Sequence, residues 1–148
     1  MADTINFYTT FVTRQFNGNA IDFDTDTIKV ALCTATYTPA QDTHDFFDDI
    51  TNELAASGNY TAGGASLASL TVTQDNTADG MDFDAADLTW TALTQSAAIK
   101  YAIIYKSTGT ASTSGLVAYI TFETAQEPNG SDFILSWNAG GIFTAIEA

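Results

Sequence analysis

Side chains that could do chemistry are scarce in this 148-residue chain, and most of them are acidic. The chain has one histidine, one cysteine and four basic residues against eighteen acidic ones. Three carboxylates alternate in the run DFDTD (residues 22–26), and they would share one side of an extended segment. Clustered oxygens of this kind suit a hard cation such as Ca²⁺. Asp22, Asp24 and Asp26 are therefore the candidate metal ligands, although Thr27 stands where an EF-hand loop requires glycine.

A second acidic cluster and the single histidine are the other candidates for a reactive site. Asp82, Asp84 and Asp87 alternate with apolar residues, a pattern that is also typical of a half-exposed edge strand. His44 lies beside Asp45 and could serve as a base or a metal ligand. Neither a second histidine nor a nucleophile motif accompanies it, which favours a surface or capping role. We therefore expect no catalytic residue, no cofactor and no enzymatic activity.

The charge balance restricts the partners. A formal net charge of −14 repels nucleic acid and anionic membranes, because phosphate binding is built from Lys and Arg. Cys33 is the single cysteine, so no intrachain disulfide and no oxidising compartment are implied. The N-terminal residues lack a basic region typical of a secretory signal, and no apolar run is long enough to cross a bilayer. The sequence predicts a soluble protein made in a reducing cytoplasm.

The elements that must position these residues are mostly strands. The segment AIKYAIIYK (98–106) is apolar on both faces, so it predicts a strand that is covered on both sides. Apolar residues between Ile5 and Phe16 recur at three- and four-residue intervals, which predicts an amphipathic helix of about four turns that ends at Gly18. Residues 42–54 are predicted to form a short helix or a structured loop. Further strands are predicted at residues 27–37, 65–74, 80–84, 87–92, 116–123, 132–137 and 142–146.

These elements predict an all-β protein. Many short strands separated by turn clusters favour an antiparallel β-sandwich, jelly-roll-like or immunoglobulin-like, over a sheet with helical crossovers. We expect one domain over residues 1–148, with residues 1–18 as a helical docking element and one short helical or loop insertion. Aromatic residues are the candidate interface anchors of such a domain. The candidates are Phe7, Tyr8, Phe11, Phe46, Phe47 and Tyr60.

Other aromatic residues leave core, interface and ligand roles open. Trp90, Tyr101, Tyr105 and Tyr119 could line a sugar-binding platform, but strand aromatics more often serve as core or interface anchors. Trp137 alternates with apolar residues, and its position favours the core. For Tyr101 and Tyr105 the sequence does not separate a core position from an interface.

Taken together, the order of motifs resembles a family of small virion proteins of tailed bacteriophages. The resemblance extends over nearly the whole chain. The stretches that carry it are IKVAL (28–32), YTP (37–39), HDFFDDI (44–50), YTAGG (60–64), DLTW (87–90), YAIIYK (101–106), LVAYI (116–120) and WNAGGI (137–142).

This resemblance implies a particle component, and above all a head decoration (cement) protein on the capsid exterior. The implied partner is the major capsid protein, and the implied state is a closed homo-oligomer, with a trimer favoured. The chain would be made in the bacterial cytoplasm and then located in the virion. The competing expectations are a neck, tail or baseplate component and, from another class, a carbohydrate-binding module that contacts the host surface.

Overall fold

Ten short strands and one helix of eight residues make up the regular structure of the part of the chain that the structure describes. The computed structural model describes residues 3–77, 79–95 and 97–146. Single 3-10 turns lie at Phe47–Asp49 and Ala111–Thr113. In chain order the elements are β1 (Thr4–Phe7), α1 (Thr9–Phe16), β2 (Ile28–Thr34), β3 (Ala65–Ser66), β4 (Thr71–Asp75), β5 (Gly80–Asp84), β6 (Leu88–Leu93), β7 (Ile99–Lys106), β8 (Leu116–Gln126), β9 (Ser131–Leu135) and β10 (Phe143–Ile146).

The strands pair into three antiparallel sheets. The largest sheet has the order β1-β8-β7-β2-β3, and the two smaller sheets have the orders β10-β5-β4 and β6-β9. Every strand pair is antiparallel, so no helical crossover is needed to connect neighbouring strands. The predicted all-β, sandwich-like fold with one short helix is confirmed.

Strand β7 lies in the middle of the largest sheet and is covered on both faces. Ala102 and Ile104 belong to one buried apolar cluster, whereas Ile103 and Tyr105 belong to another. Because successive side chains of a strand point to opposite faces, the two clusters lie on opposite sides of the sheet. The prediction drawn from the apolar segment at residues 98–106 is therefore confirmed.

The larger cluster fills the space between the main sheet and the smaller sheets. Phe83 of β5, Trp90 of β6 and Phe133 of β9 are buried in it together with Ile104 of β7. The rings of Trp90 and Phe133 lie 5.8 Å apart between centroids. Burial of each large apolar side chain contributes about 1.5–3 kcal/mol, so this layer supplies much of the driving force for folding.

A loop covers the opposite face of the main sheet, and we call residues 37–50 the cover loop. Phe47 of this loop stacks on Tyr105 of β7, with ring centroids 4.1 Å apart. The Phe47 N–H donates to the Ser114 carbonyl at 2.9 Å, and the Leu116 N–H donates to the Asp45 carbonyl at 3.0 Å. The predicted insertion at residues 42–54 is thus a structured loop with a single 3-10 turn.

The N-terminal segment differs from the predicted helix of four turns. Residues Thr4–Phe7 form strand β1, with Ile5 opposite Ile120 of β8, and the helix begins only at Thr9. The Tyr8 N–H donates to the Val117 carbonyl at 3.0 Å, which continues the strand pairing up to the helix start. The prediction was wrong over this segment because β8 offers its edge, and pairing there satisfies the backbone groups of four residues.

The segment predicted as one strand at residues 65–74 is divided between two sheets. Strand β3 pairs with β2, whereas β4 pairs with β5. Ser69 between them has φ 54°, in the left-handed region, which breaks the extended conformation. The division therefore reflects the location of the partner strands, which the local pattern does not contain.

Among the described residues, no helix has the length and apolar character needed to cross a membrane. Of the domain predicted over residues 1–148, positions 1, 2, 78, 96, 147 and 148 lie outside the described part.

Candidate functional site

The first acidic run folds into a turn and not into the extended segment that would align its carboxylates. The Asp26 N–H donates to the Asp22 carbonyl at 2.8 Å, and Asp26 Oδ2 accepts the Asp22 N–H at 2.9 Å. The same carboxylate pairs with Lys106 Nζ at 2.7 Å. A hydrogen bond between the exposed carboxyl groups of Asp22 and Asp24 lowers the pKa of Asp22 and raises that of Asp24. Across the described residues, no group of three His, Cys, Asp or Glu side chains is arranged to hold a metal.

The second acidic cluster is engaged in structural hydrogen bonds. Asp82 Oδ1 accepts the Thr144 hydroxyl at 2.6 Å, and Asp87 Oδ1 accepts the Trp137 N–H at 3.1 Å. Asp84 Oδ1 accepts the N–H of the next residue at 2.8 Å. Asp82 and Asp87 thereby connect β5 and the residue before β6 to the C-terminal segment, whereas Asp84 bonds within its own segment.

His44 ends a chain of hydrogen bonds that leads into the interior. Its Nδ1 lies 2.9 Å from the Tyr37 hydroxyl, which in turn lies 2.8 Å from the hydroxyl of the fully buried Tyr8. Burial raises the pKa of Tyr37 to about 12, and burial followed by the hydrogen bond to Tyr37 raises the pKa of Tyr8 above its ordinary value. The Thr10 hydroxyl donates to the His44 carbonyl at 3.0 Å. These hydrogen bonds hold the cover loop against the main sheet and against α1.

Three of the six interface candidates are buried within the chain itself. Tyr8, Phe11 and Tyr60 are almost wholly inaccessible, and a partner cannot reach them in this conformation. The Tyr60 hydroxyl accepts the Leu32 N–H at 2.9 Å and donates to Glu53 at 2.8 Å. The expectation of a surface position was wrong for these three residues, because their rings complete the protein's own core.

The other three interface candidates are half-buried. Phe7 packs against the core, with its ring centroid 5.6 Å from that of Phe11. Phe47 stacks on Tyr105, and the ring of Phe46 lies under the guanidinium of Arg14. Each of these rings therefore presents part of its surface to solvent while the rest contacts the chain.

In the described part of the chain, the strand aromatics form no fully exposed platform. Trp90 and Tyr105 are buried, whereas Tyr101 and Tyr119 are half-buried beside Tyr37 and Tyr8. Trp137 is only partly buried, against the expectation of a core position, and its Nε1 donates to the Ala86 carbonyl at 3.1 Å. Sugar-binding platforms need aromatic faces open to solvent, and these rings offer little of their faces.

Five large apolar side chains are exposed among the described residues. Phe16, at the end of α1, is 88% exposed, and Val12 on the same helix is 49% exposed. Ile134 of β9 is 54% exposed, and Val72 and Met81 are exposed on the β4–β5 hairpin. The period of α1 predicted Val12 and Phe16 on its buried face. The helix docks through Phe11, so these two side chains point away from the core.

A cleft of about 380 Å³ brings together two of the four basic residues of the chain. Arg14 and Lys106 line it, together with residues 18–21 after α1 and the loop that follows β7. Lys106 is neutralised by its ion pair with Asp26. Arg14 makes no direct ion pair among the described residues, but its charge acts on the nearby carboxyl group of Asp45. We call this the Arg14 cleft.

The guanidinium of Arg14 is held in place from three sides. Its Nη2 donates to the Asp45 carbonyl at 3.1 Å, and its central carbon lies 4.5 Å from the ring centroid of Phe46. A Cβ at Gly115 would come within 2.5 Å of Nη1, so a larger residue there would displace the guanidinium. Nη1 is buried and finds no acceptor among the described residues. A buried donor left unsatisfied costs about 1–3 kcal/mol.

One signal in the sequence could have drawn attention to this cleft. In a chain with so few basic residues, the position of each one is informative, and Arg14 lies on the first helix while Lys106 ends the central strand. Their proximity depends on the pairing of β7 with β2 and on the docking of α1, which the local pattern does not contain.

Comparison of this chain with protein-family models, with curated proteins and with solved structures finds no match.

Proposed function

We propose that this chain is a structural protein of a tailed-bacteriophage particle, and specifically a decoration protein that stabilises the head by bridging capsid subunits. Its partner would be the major capsid protein, and it would act as a closed homo-oligomer, with a trimer expected. The support comes from the motifs that resemble the phage virion family and from the positions of those motifs in the fold. The observation that carries the proposal is that these motifs build the architecture and present no reactive centre.

The YTAGG motif at residues 60–64 is an example. A Cβ at Gly64 would lie 1.8 Å from the Val30 carbonyl oxygen, so the chain can cross β2 this closely only with glycine. Tyr60 of the same motif binds the main chain of Leu32. The motif therefore fixes a loop against the main sheet, which is an architectural role.

The HDFFDDI motif at residues 44–50 is the second example, because it forms most of the cover loop. Asp45 and Phe47 pair with the main chain at the start of β8, and Phe47 stacks on Tyr105. The segment buries one face of the central sheet and positions Phe46 beside Arg14. Both motifs thus serve packing, which suits a scaffold role.

A decoration protein stabilises a capsid by burying contact surface between subunits and by repeating that contact through the capsid symmetry. It needs no catalytic group for this. The side chains of Phe16 and Val12 on α1 are exposed and form an apolar surface that a neighbouring subunit would cover. Many copies arranged by capsid symmetry bind with high avidity even when each interface is small. The acidic surface suits basic patches on a shell and resists association with nucleic acid.

Quantitative mass spectrometry of purified particles tests the proposal, with the ratio of this chain to the major capsid protein as the readout. A ratio near a simple fraction of the capsid subunit number is expected. A few copies per particle would move the chain to the neck, tail or baseplate, and its absence from particles would contradict a virion role.

Binding of the purified chain to heads that lack it tests the contact surface. Phe16→Ser should weaken head binding by at least about tenfold, since an exposed aromatic anchor of an interface contributes roughly 2 kcal/mol or more. Ile134→Ser removes another exposed apolar side chain, 54% exposed against 88% for Phe16, from β9 and serves as the control. Equal loss in both variants, or in neither, would exclude α1 as the docking element.

A further inference from the structure

We propose that Asn17 is a site of spontaneous deamidation, a covalent modification that takes water as its co-reactant. The chain contains two Asn-Gly dipeptides, at residues 17–18 and 129–130. The first lies in an exposed linker where its reacting groups are free of hydrogen bonds, whereas the second is held in a hydrogen-bonded turn. This contrast carries the inference, which holds whether or not the chain is a virion protein.

The reaction joins the side chain of Asn17 to the main chain of Gly18. The Gly18 nitrogen attacks Cγ of Asn17, so that a new N–C bond closes a cyclic imide while the Cγ–Nδ2 bond breaks. The Gly18 N–H loses its proton, and the side-chain amide group leaves as ammonia. Water then opens the imide at either carbonyl, which gives aspartate or isoaspartate at position 17. Because both reacting groups belong to adjacent residues, the rate depends on how easily they reach the attack geometry.

Glycine at position 18 leaves the attacking nitrogen accessible. It has no Cβ to shield the nitrogen, and its backbone reaches conformations that are strained for other residues. Gly18 has φ 86°, and a Cβ there would meet nothing within 4 Å. The side chain of Asn17 can therefore approach the nitrogen without displacing a distant part of the chain.

The linker between α1 and Ile21 leaves both reacting groups free. Residues 17–20 are exposed in a row, and Ile21 is the next buried residue. The Asn17 N–H donates to the Arg14 carbonyl at 3.4 Å, a long hydrogen bond that does not involve the reacting atoms. The Gly18 N–H and the Asn17 side-chain amide make no hydrogen bond with the described residues. Rotation towards the attack geometry therefore breaks no hydrogen bond at either group.

The second dipeptide is equally exposed but is held at both reacting groups. The Gly130 N–H donates to the Leu93 carbonyl at 2.7 Å. Asn129 Nδ2 donates to the Glu127 carbonyl at 3.2 Å. Attack in this turn requires prior opening of both hydrogen bonds, so the native fold should protect Asn129 and leave Asn17 reactive.

The modification changes the end of α1. Asn17 is the C-cap of this helix, where the helix dipole disfavours a negative charge. The new carboxylate would lie next to Phe16, which is 88% exposed, and would add to a formal net charge of −14. Isoaspartate also adds a carbon atom to the main chain between α1 and Ile21. The apolar end of α1 thus becomes acidic when the chain is modified.

Incubation of the purified native chain at pH 8, followed by peptide mass spectrometry that separates the aspartate and isoaspartate forms, measures both sites in the same molecules. Asn17 should convert at least about tenfold faster than Asn129, because the hydrogen bonds at Asn129 must open first. In concentrated guanidinium chloride the two rates should agree within about threefold, because the native contacts are lost. Equal native rates, faster conversion of Asn129, or no conversion of native Asn17 while the unfolded chain reacts would overturn the proposal.

Two variants identify the nucleophile. Gly18→Ala keeps Asn17 but shields the attacking nitrogen, and it should slow conversion at least about tenfold. Gly109→Ala is the matched control, because Gly109 has φ 85° and a Cβ there also meets nothing within 4 Å. This control should leave the rate at Asn17 unchanged. Wild-type conversion in Gly18→Ala, or an equal decrease in both variants, would contradict attack by the Gly18 nitrogen.

Discussion

At the scale of single residues, the polar side chains mostly satisfy main-chain groups and so connect loops to the sheet. The Tyr105 hydroxyl donates to the Gly63 carbonyl at 2.7 Å, and Lys100 Nζ donates to the Phe122 carbonyl at 2.6 Å. Glu53 accepts from both the Tyr60 hydroxyl and the Gly63 N–H. Tyrosine, lysine and glutamate side chains, which can act in catalysis, thus hold the loops against the sheet in this protein. Two neighbouring side chains on α1 differ, because Arg14 Nη1 and Gln15 Nε2 are buried and find no acceptor among the described residues.

The Cys33 thiol should be unreactive in the native protein. Burial, followed by the nearby charge of Glu53, raises the pKa of Cys33 to about 12, so only about 10⁻⁴ of the thiol is ionised at pH 8. We expect reaction with a thiol reagent to be at least about 100-fold slower in the native chain than in concentrated urea. Rapid modification of the native protein at pH 8 would contradict the buried position.

Two glycines test the requirement for a close backbone approach. Gly64→Ala should destabilise the fold by about 3 kcal/mol or more, because its Cβ would collide with the Val30 carbonyl and its φ is 68°. Gly109→Ala is the matched control: its φ is 85°, but its Cβ would meet nothing within 4 Å. The control should cost only about 1–2 kcal/mol for the left-handed conformation. Urea unfolding measures both values, and equal losses would refute the collision.

At the scale of elements, the location of a partner decides what a short segment becomes. Thr4–Phe7 is a strand because β8 offers its edge, and α1 contains only the eight residues that follow Tyr8. A helix of this length is not stable alone. It depends on tertiary contacts, of which the packing of Phe11 against Phe7 and Phe23 is the central one.

The docking of α1 can be measured with two phenylalanines on the same helix. Phe11→Ala should lower the free energy of unfolding by about 3–5 kcal/mol, since the side chain is 7% exposed and its removal leaves a cavity. Phe16→Ala should change it by less than about 0.5 kcal/mol because that ring is exposed. Chemical denaturation gives both numbers, and similar losses would contradict the observed orientation of the helix.

At the scale of the whole molecule, the main sheet is buried on both faces, and its two apolar clusters are closed by different kinds of structure. The smaller sheets cover one face, while the cover loop and Tyr8, the residue before α1, cover the other. The second cluster includes the buried hydroxyl groups of Tyr8 and Tyr37. The ionisation of buried tyrosines is therefore linked to global unfolding.

Stability should decline at alkaline pH. Burial raises the pKa of Tyr37 and Tyr105 to about 12 and that of Tyr8 and Tyr60 above the ordinary value near 10. Their contribution is fully present below pH 10, the pKa of the unfolded chain. Above pH 10 the unfolded chain loses protons that the native state retains, so each tyrosine lowers the free energy of unfolding by about 1.4 kcal/mol per pH unit.

Urea midpoints and tyrosinate absorbance between pH 9 and pH 11 measure this decline. The native chain should ionise fewer tyrosines at pH 11 than the unfolded chain. A constant urea midpoint, or complete ionisation of the native tyrosines near pH 10, would show that these hydroxyl groups are accessible.

The predictable part of the site was small. The sequence indicated the acidic runs and His44, yet Asp26 forms an ion pair with Lys106 and His44 binds the hydroxyl of Tyr37. The Arg14 cleft could not be predicted, because it forms between α1 and the loop after β7. Local patterns report which residues alternate, but they do not report which distant segments meet.

The sequence by itself determined the all-β class, the central strand at residues 98–106 and the scarcity of reactive groups, because these depend on composition and short-range periodicity. Only the tertiary structure decided the strand at residues 4–7, the division of residues 65–74 between two sheets and the inward position of Tyr8 and Tyr60. Each of these depends on a hydrogen-bonding partner or a packing surface far away in the chain. A segment of a few residues adopts whichever conformation that partner stabilises.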